Sequence, residues 1–106
     1  MGKMNKQSFN EKIYEKLKLI PFGKVITYKN LAIAINSRAY RAVGIAMKLN
    51  SDTERIKCFK VVRSNGEIGN YSLGIKEKIR RLSKENIEIK NNRIDLKKYG
   101  YSFVKI

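Results

Sequence analysis

The chain has 106 residues, 42% of them hydrophobic, and carries 24 Lys plus Arg against 9 Asp plus Glu, a formal charge of +15. That length supports one domain with one modest core, and the apolar fraction excludes wholesale disorder. One cysteine excludes an intramolecular disulfide; the lack of any histidine excludes Ser-His-Asp and Cys-His catalysis and zinc sites of Cys/His spacing, zinc-dependent base deamination included.

The basic residues are spread over the whole length rather than gathered in a tail. A small folded domain this basic most often meets a polyanion, with nucleic acid ahead of an anionic membrane surface. The bland alternative is Ile/Lys-rich usage imposed by genome bias or a hot habitat. No signal-peptide pattern, transmembrane-length apolar run, Walker A motif or dinucleotide glycine pattern is present. The expectation is an intracellular protein, cytoplasmic or nucleoid-associated, without metal or cofactor.

Residues 1–7 are polar and expected to fray. Ser8-Phe9-Asn10-Glu11 fits a capping box, and Phe9, Ile13, Leu17 and Ile20 recur at helical spacing, which predicts a helix over about residues 9–19. Pro21 and Gly23 mark a turn, and Val25-Ile26 suits a short extended piece. Thr27 can cap a second helix over about 28–35, with Leu31, Ala32 and Ile35 inward. After Asn36, Ser37 can cap a third helix over about 38–49. Two short helices across a tight turn predict a helix-turn-helix. On the third helix Ala39, Val43, Ala46 and Met47 share one face, while Arg38, Arg41, Ile45 and Lys48 make a basic stripe that is either a solvated face or a phosphate-binding one.

Cys58 lies in Ile56–Val62, a β-branched run that predicts a strand or strand entry, followed by the turn signal Ser64-Asn65-Gly66-Glu67. A lone cysteine there is either a small buried core thiol or a reactive nucleophile. The stretch Gly66 to Gly74 is glycine-rich, a weak signal by itself. A fourth helix is predicted over about 75–86, with Ile75, Ile79 and Leu82 on one face and Lys78, Arg81 and Glu85 on others. Ile87-Glu88-Ile89 and Ile94-Asp95-Leu96 alternate around Asn91-Asn92, which predicts a small hairpin, and Tyr99, Tyr101 and Phe103 alternate in a segment docked on the body.

Taken together, these pieces resemble the active-site domain of the alkylguanine–DNA alkyltransferases (methylated-DNA–protein-cysteine methyltransferases) and are also similar to the alkyltransferase-like proteins. The similarity runs from Phe9 to about Tyr99. Ile20-Pro21-Phe22-Gly23-Lys24-Val25-Ile26-Thr27-Tyr28 looks like the family's Ile-Pro-x-Gly-x-Val-x-Thr-Tyr. Arg41-Ala42-Val43-Gly44, then Ala46-Met47 and Asn50, is similar to its recognition helix and hinge asparagine; Gly69-Asn70-Tyr71-Ser72 looks like its substrate loop. The resemblance implies a mostly α domain with a small β component, a winged-helix-like helix-turn-helix with a C-terminal hairpin. It implies one domain over residues 1–106, without the family's common N-terminal ribonuclease-H-like domain or any zinc carried there.

The roles the resemblance implies are these. The recognition helix enters the minor groove of double-stranded DNA, where Arg41 fills the gap left by a flipped alkylguanine, with Arg38, Gly44 and Lys48 also on the DNA. Tyr28 lies beside the rotated phosphate and near guanine N3. Met47 walls the flipped base; the carbonyls of Cys58 and Val61 receive the guanine amino group, and the Ser72 amide faces the 6-oxygen. Tyr71 and Lys78 line the pocket, Asn50 is the hinge, and Cys58 is the acceptor. Glu85 matches the carboxylate that orients the family's histidine.

The sequence also departs from the family. Pro-Cys-His-Arg is Lys57-Cys58-Phe59-Lys60 here, so the proton-relaying histidine is Phe59 and Glu85 is left without that partner. Lys57 and Lys60 flank the thiol, and ammonium groups close to a sulfur favour thiolate. Tyr40 stands where the family has a small residue, and the turn before the third helix is one residue shorter. The favoured reading is single-step, irreversible transfer of the alkyl group from the guanine 6-oxygen to Cys58, without turnover. A non-enzymatic lesion binder that flags alkylguanine for downstream repair proteins is the alternative, and a plain architectural helix-turn-helix protein the third. A monomer is expected.

Overall fold

A computed structural model describes residues 7–103. The fraying expected over residues 1–7 therefore falls, Gln7 apart, outside the described residues. The fold is mostly helical with a two-strand parallel sheet: α1 (Phe9–Leu17), β1 (Ile26–Thr27), α2 (Tyr28–Ile33), α3 (Tyr40–Leu49), β2 (Val61–Val62), α4 (Ile75–Lys84) and α5 (Leu96–Tyr99).

Local capping decides the first half. The Glu11 amide donates to Ser8 Oγ (3.1 Å) and the Ser8 amide to Glu11 Oε1 (2.8 Å), the reciprocal capping box. The helix turns Ile13 and Leu17 inward and stops at Leu17, two residues before the expected end. Thr27 caps α2, its Oγ1 accepting from the Asn30 amide at 3.0 Å. That helix ends at Ile33 rather than 35, and Asn36 follows in the left-handed region (φ 58°). Ser37 Oγ accepts from the Ala39 amide (3.0 Å), a local turn that delays the third helix to Tyr40. Ala39, expected on the inward face, is consequently exposed outside the helix. Val43, Ala46 and Met47 are buried as the periodicity predicts.

The strand expected over Ile56–Val62 is only Val61–Val62; Cys58–Lys60 is a 3₁₀ turn. A strand sends alternate side chains to two faces, whereas a turn with three residues per revolution sends three consecutive side chains in three directions. Here all three are buried. Cys58 joins a core of α1, α2 and α3 residues; Phe59 joins a second core with Val25, Val62, Leu82, Ile87 and Tyr99; Lys60 points to a buried carboxylate. The sheet pairs Ile26 with Val61 and Thr27 with Val62, which fixes the start of α2 beside this turn.

The fourth helix ends at Lys84, where Asn86 (φ 63°) turns the chain out. Its buried residues are Lys78 and Leu82, while Ile75, expected inward, is exposed. The predicted hairpin is reduced to one bridge. Asn91 and Asn92 both take positive φ, as a tight hairpin turn requires, and Lys90 and Arg93 exchange backbone hydrogen bonds of 2.9 Å. Beyond that bridge Ile94 donates to the Gly66 carbonyl instead, and Asp95 caps α5. Tyr99 is thus helical rather than extended; Tyr101 and Phe103 meet edge to face at 5.0 Å against the first core. No helix of the described residues is long and apolar enough to cross a membrane.

Candidate functional site

Four segments enclose a pocket of about 320 Å³: the start of α2, the middle of α3, the Cys58 turn and the loop from Arg63 to Ser72. Cys58, Tyr28, Met47, Tyr71 and Ser72 line it, as expected for site residues, together with Gly44 and Lys48 from α3. Gly44 has open space where a Cβ would stand, so packing does not require glycine there; its bare backbone leaves the pocket wall open to a ligand. Asn70 of the substrate-loop motif also lines the pocket, as does Arg63, to which the sequence assigns no role.

Cys58 is 3% exposed. Asn50 holds the sulfur, its Nδ2 donating to Sγ at 3.3 Å and to the Ile56 carbonyl at 2.7 Å, while its Oδ1 accepts from the Asp52 amide. A donor aimed at sulfur bonds a thiolate more strongly than a thiol. Asn50 does not line the pocket; it positions the residue that does. Val61 is likewise fully buried, and its carbonyl accepts from Lys78 Nζ at 2.9 Å.

Lys78 is completely buried and joins two walls of the site, donating also to the Asn70 carbonyl at 3.0 Å. Burial pushes its ammonium down to about 8, partly opposed by the charge of Cys58 and reinforced by that of Arg63. Lys78, expected in the pocket lining, thus lies behind the wall and within electrostatic reach of the sulfur. Burial raises the Tyr28 phenol, with Arg63 lowering it and Cys58 raising it. Burial likewise raises Tyr71, whose hydroxyl accepts from Arg81 Nη1 at 3.1 Å. Both phenols remain protonated donors near neutrality.

The lysines flanking Cys58 face elsewhere. Lys60 Nζ lies 2.8 Å from Glu85 Oε1 and donates to the Pro21 carbonyl at 2.8 Å; Lys57 Nζ lies 4.0 Å from Glu85 Oε2. Glu85 Oε1 also accepts from the Gly23 amide at 2.9 Å. Glu85, which the sequence left without a partner, is thus engaged by Lys60. It lies in a second recess, of about 250 Å³, whose walls include Phe59 and Lys57 but not Cys58. Arg41 is exposed on α3 outside both recesses, and Arg38 borders the turn between α2 and α3 beside Lys29.

A nearly inaccessible cysteine thus lines a pocket that has the basic helix α3 along one wall. Residues 8–87 match the family described as 6-O-methylguanine DNA methyltransferase, DNA binding domain, and the chain belongs to that family. It is 52% identical over 91 residues to a bifunctional methyltransferase/endonuclease of Picrophilus torridus, covering 85% of this chain and 30% of that protein. It is 36% identical over 88 residues to a methylated-DNA–protein-cysteine methyltransferase of Metallosphaera sedula, covering 83% of this chain and 55% of the relative. The chain therefore spans only 30% and 55% of these two relatives' length. Among solved structures, S. pombe Atl1 in complex with damaged DNA containing O6-carboxymethylguanine superposes with a TM-score of 0.82 at 29% identity, over 93% of this chain and 99% of that one.

Proposed function

We propose that the chain is a DNA repair protein that takes alkylguanine out of duplex DNA and accepts the alkyl group on Cys58. Residues 1–106 act in this reading as one alkyltransferase-type DNA-binding domain, as a monomer on double-stranded DNA. The observation that carries it is Cys58 at the pocket base, beneath Tyr28 and beside the exposed basic face of α3. A base must leave the stack before its 6-oxygen substituent can reach a buried sulfur, and a side chain entering the gap offsets part of that cost. Arg41 is that side chain; Arg38 and Lys48 hold phosphates.

In the transfer step Cys58 Sγ attacks the alkyl carbon, the S–C bond forms and the bond from carbon to the guanine 6-oxygen breaks. Tyr28 donates to guanine N3 as charge develops on the leaving base. The thiol's proton ends on guanine, so the products are a thioether and ordinary guanine. Met47 and Tyr71 hold the base, the Ser72 amide faces its 6-oxygen, and Lys78 fixes the Val61 and Asn70 backbone around it. Transfer of label from a methyl-labelled duplex should stop at one equivalent per protein; multiple turnovers would refute it.

A second reading, lesion binding without transfer followed by hand-over to other repair proteins, is favoured by Phe59 in place of a relaying histidine and by the near-complete overlap with Atl1. The relative in Picrophilus torridus is itself described as a methyltransferase/endonuclease.

Two expectations follow. Arg41→Ala should weaken binding to a lesion-bearing duplex far more than to plain duplex, whereas Lys48→Ala should weaken both alike and lower the salt slope by about 1. Equal small effects in a fluorescence-anisotropy titration would remove Arg41 from the finger role. Phe59→His puts an imidazole into the recess that holds Glu85. Methyl transfer near neutrality should then be faster and its pH profile flatter, and adding Glu85→Gln should erase the gain because a neutral amide no longer stabilises the imidazolium that forms. A gain indifferent to Glu85→Gln would mean that the imidazole acts alone.

A further inference from the structure

We propose that Arg63 is a phosphate clamp at the pocket mouth, closed on the backbone of the extruded nucleotide and idle on undamaged duplex. The inference rests on the base-extrusion reading above and assigns Arg63, which that reading leaves without a role. Arg63 follows Val62, the last residue of β2, so its backbone is fixed at the sheet edge and by its amide bond to the Glu67 carbonyl (2.9 Å). Its side chain is 55% exposed yet lines the same pocket as the nearly inaccessible Cys58.

The guanidinium is loosely committed within the protein. Its ion pair with Glu67 spans 3.7 Å between two half-exposed side chains, and Glu67 also faces Arg93 at 3.6 Å. Such exposed pairs contribute little and exchange readily for a better anion. Gly69 leaves the approach to Arg63 open: it takes φ +73°, and the point where a Cβ would stand lies 3.7 Å from both Arg63 Nε and Tyr28 Oη. The guanidinium therefore borders the phenol at the pocket mouth across a residue with no side chain, where its fork can meet phosphate oxygens.

Depth decides for phosphate over base. An alkylguanine whose 6-oxygen substituent reaches Cys58 has its ring against Met47 and Tyr71. Its sugar and flanking phosphates remain at the rim, where Arg63 stands. On undamaged, stacked duplex no phosphate is drawn to this point, so the contact is specific to the extruded state. Lys48, on the α3 side of the same pocket, provides the contrasting cation that meets DNA in either state.

The test is a binding cycle with duplexes that carry methylguanine or guanine, each made with ordinary phosphates or with neutral methylphosphonates flanking the target nucleotide. Arg63→Ala should lower affinity for the lesion duplex about tenfold, the size of one charge-assisted contact. It should make that duplex's salt slope shallower by about 0.9 and leave plain duplex within twofold. Methylphosphonates should impose the same loss on wild type, and Arg63→Ala should then add nothing. Arg63→Lys, which keeps charge without the fork, should fall between. Equal loss on lesion and plain duplex, or an Arg63→Ala effect that persists on methylphosphonate DNA, overturns the clamp alone. If wild type shows no preference for the lesion duplex, base extrusion fails and the clamp fails with it. A thermal melt of each variant separates either result from misfolding.

Discussion

Glu85→Ala should destabilise the domain by about 3–5 kcal/mol, most of the margin of a protein this small, as read by urea unfolding. Lys60 and Glu85 are 1% and 6% exposed in their side chains and 2.8 Å apart. Truncating the carboxylate strands the Lys60 ammonium with only the Ile20 and Pro21 carbonyls and deprives the Gly23 amide of its acceptor. Burial already lowers Lys60 below the ordinary lysine range, with the Glu85 hydrogen bond and charge opposing and Lys57 adding to the fall. Without Glu85 the fall deepens. Lys60 of the variant then sheds its proton at lower pH than wild type, so the deficit should narrow as pH rises towards the lysine range. Lys60→Met with Glu85→Gln should recover most of the loss, because an apolar side chain needs no partner and the amide oxygen can still accept from Gly23. A Glu85→Ala protein as stable as wild type would mean that the pair does not hold the Pro21 turn against the Cys58 turn.

Cys58→Ala should abolish methyl uptake while DNA binding stays close to wild type. The sulfur is the only thiol in the chain and bonds one side-chain amide, which keeps its contact with the Ile56 carbonyl when the sulfur is gone. The small cavity left behind costs about 1 kcal/mol, too little to unfold the pocket. Anisotropy titration and a methyl-transfer assay on the same preparation check both halves. Loss of DNA binding together with the fold would assign Cys58 to the core alone.

The first half of the fold was readable because its determinants are local. Ser8 with Glu11, and Thr27 with the Asn30 amide, act across three residues, and the buried faces of α1 and α3 repeat at helical spacing. The run around Cys58 is the entry to β2, and its 3₁₀ turn was not legible because core lies on more than one side of it, so no alternation of exposed and buried positions exists to reveal its geometry. The same cause hid the two buried lysines. A lysine beside a hydrophobic run reads as surface charge, and the partners of Lys60 and Lys78 are Glu85 and the Val61 carbonyl, far off in sequence. Most of the pocket was legible through family-like motifs: Cys58, Tyr28, Met47, Tyr71 and Ser72 converge as those motifs imply. Arg63 was not, since a charge directly before a Ser-Asn-Gly turn looks solvated. Its place after the β-branched pair Val61-Val62 was the available sign that it starts at the edge of the site.

The most direct measurement is intact-protein and peptide mass after incubation with an excess of methylguanine duplex, with Cys58→Ala alongside. An acceptor gains the mass of one methyl group, confined to the peptide containing Cys58, and the variant gains nothing. Tight lesion binding with unchanged mass would contradict the transfer account and leave the chain a lesion-binding protein.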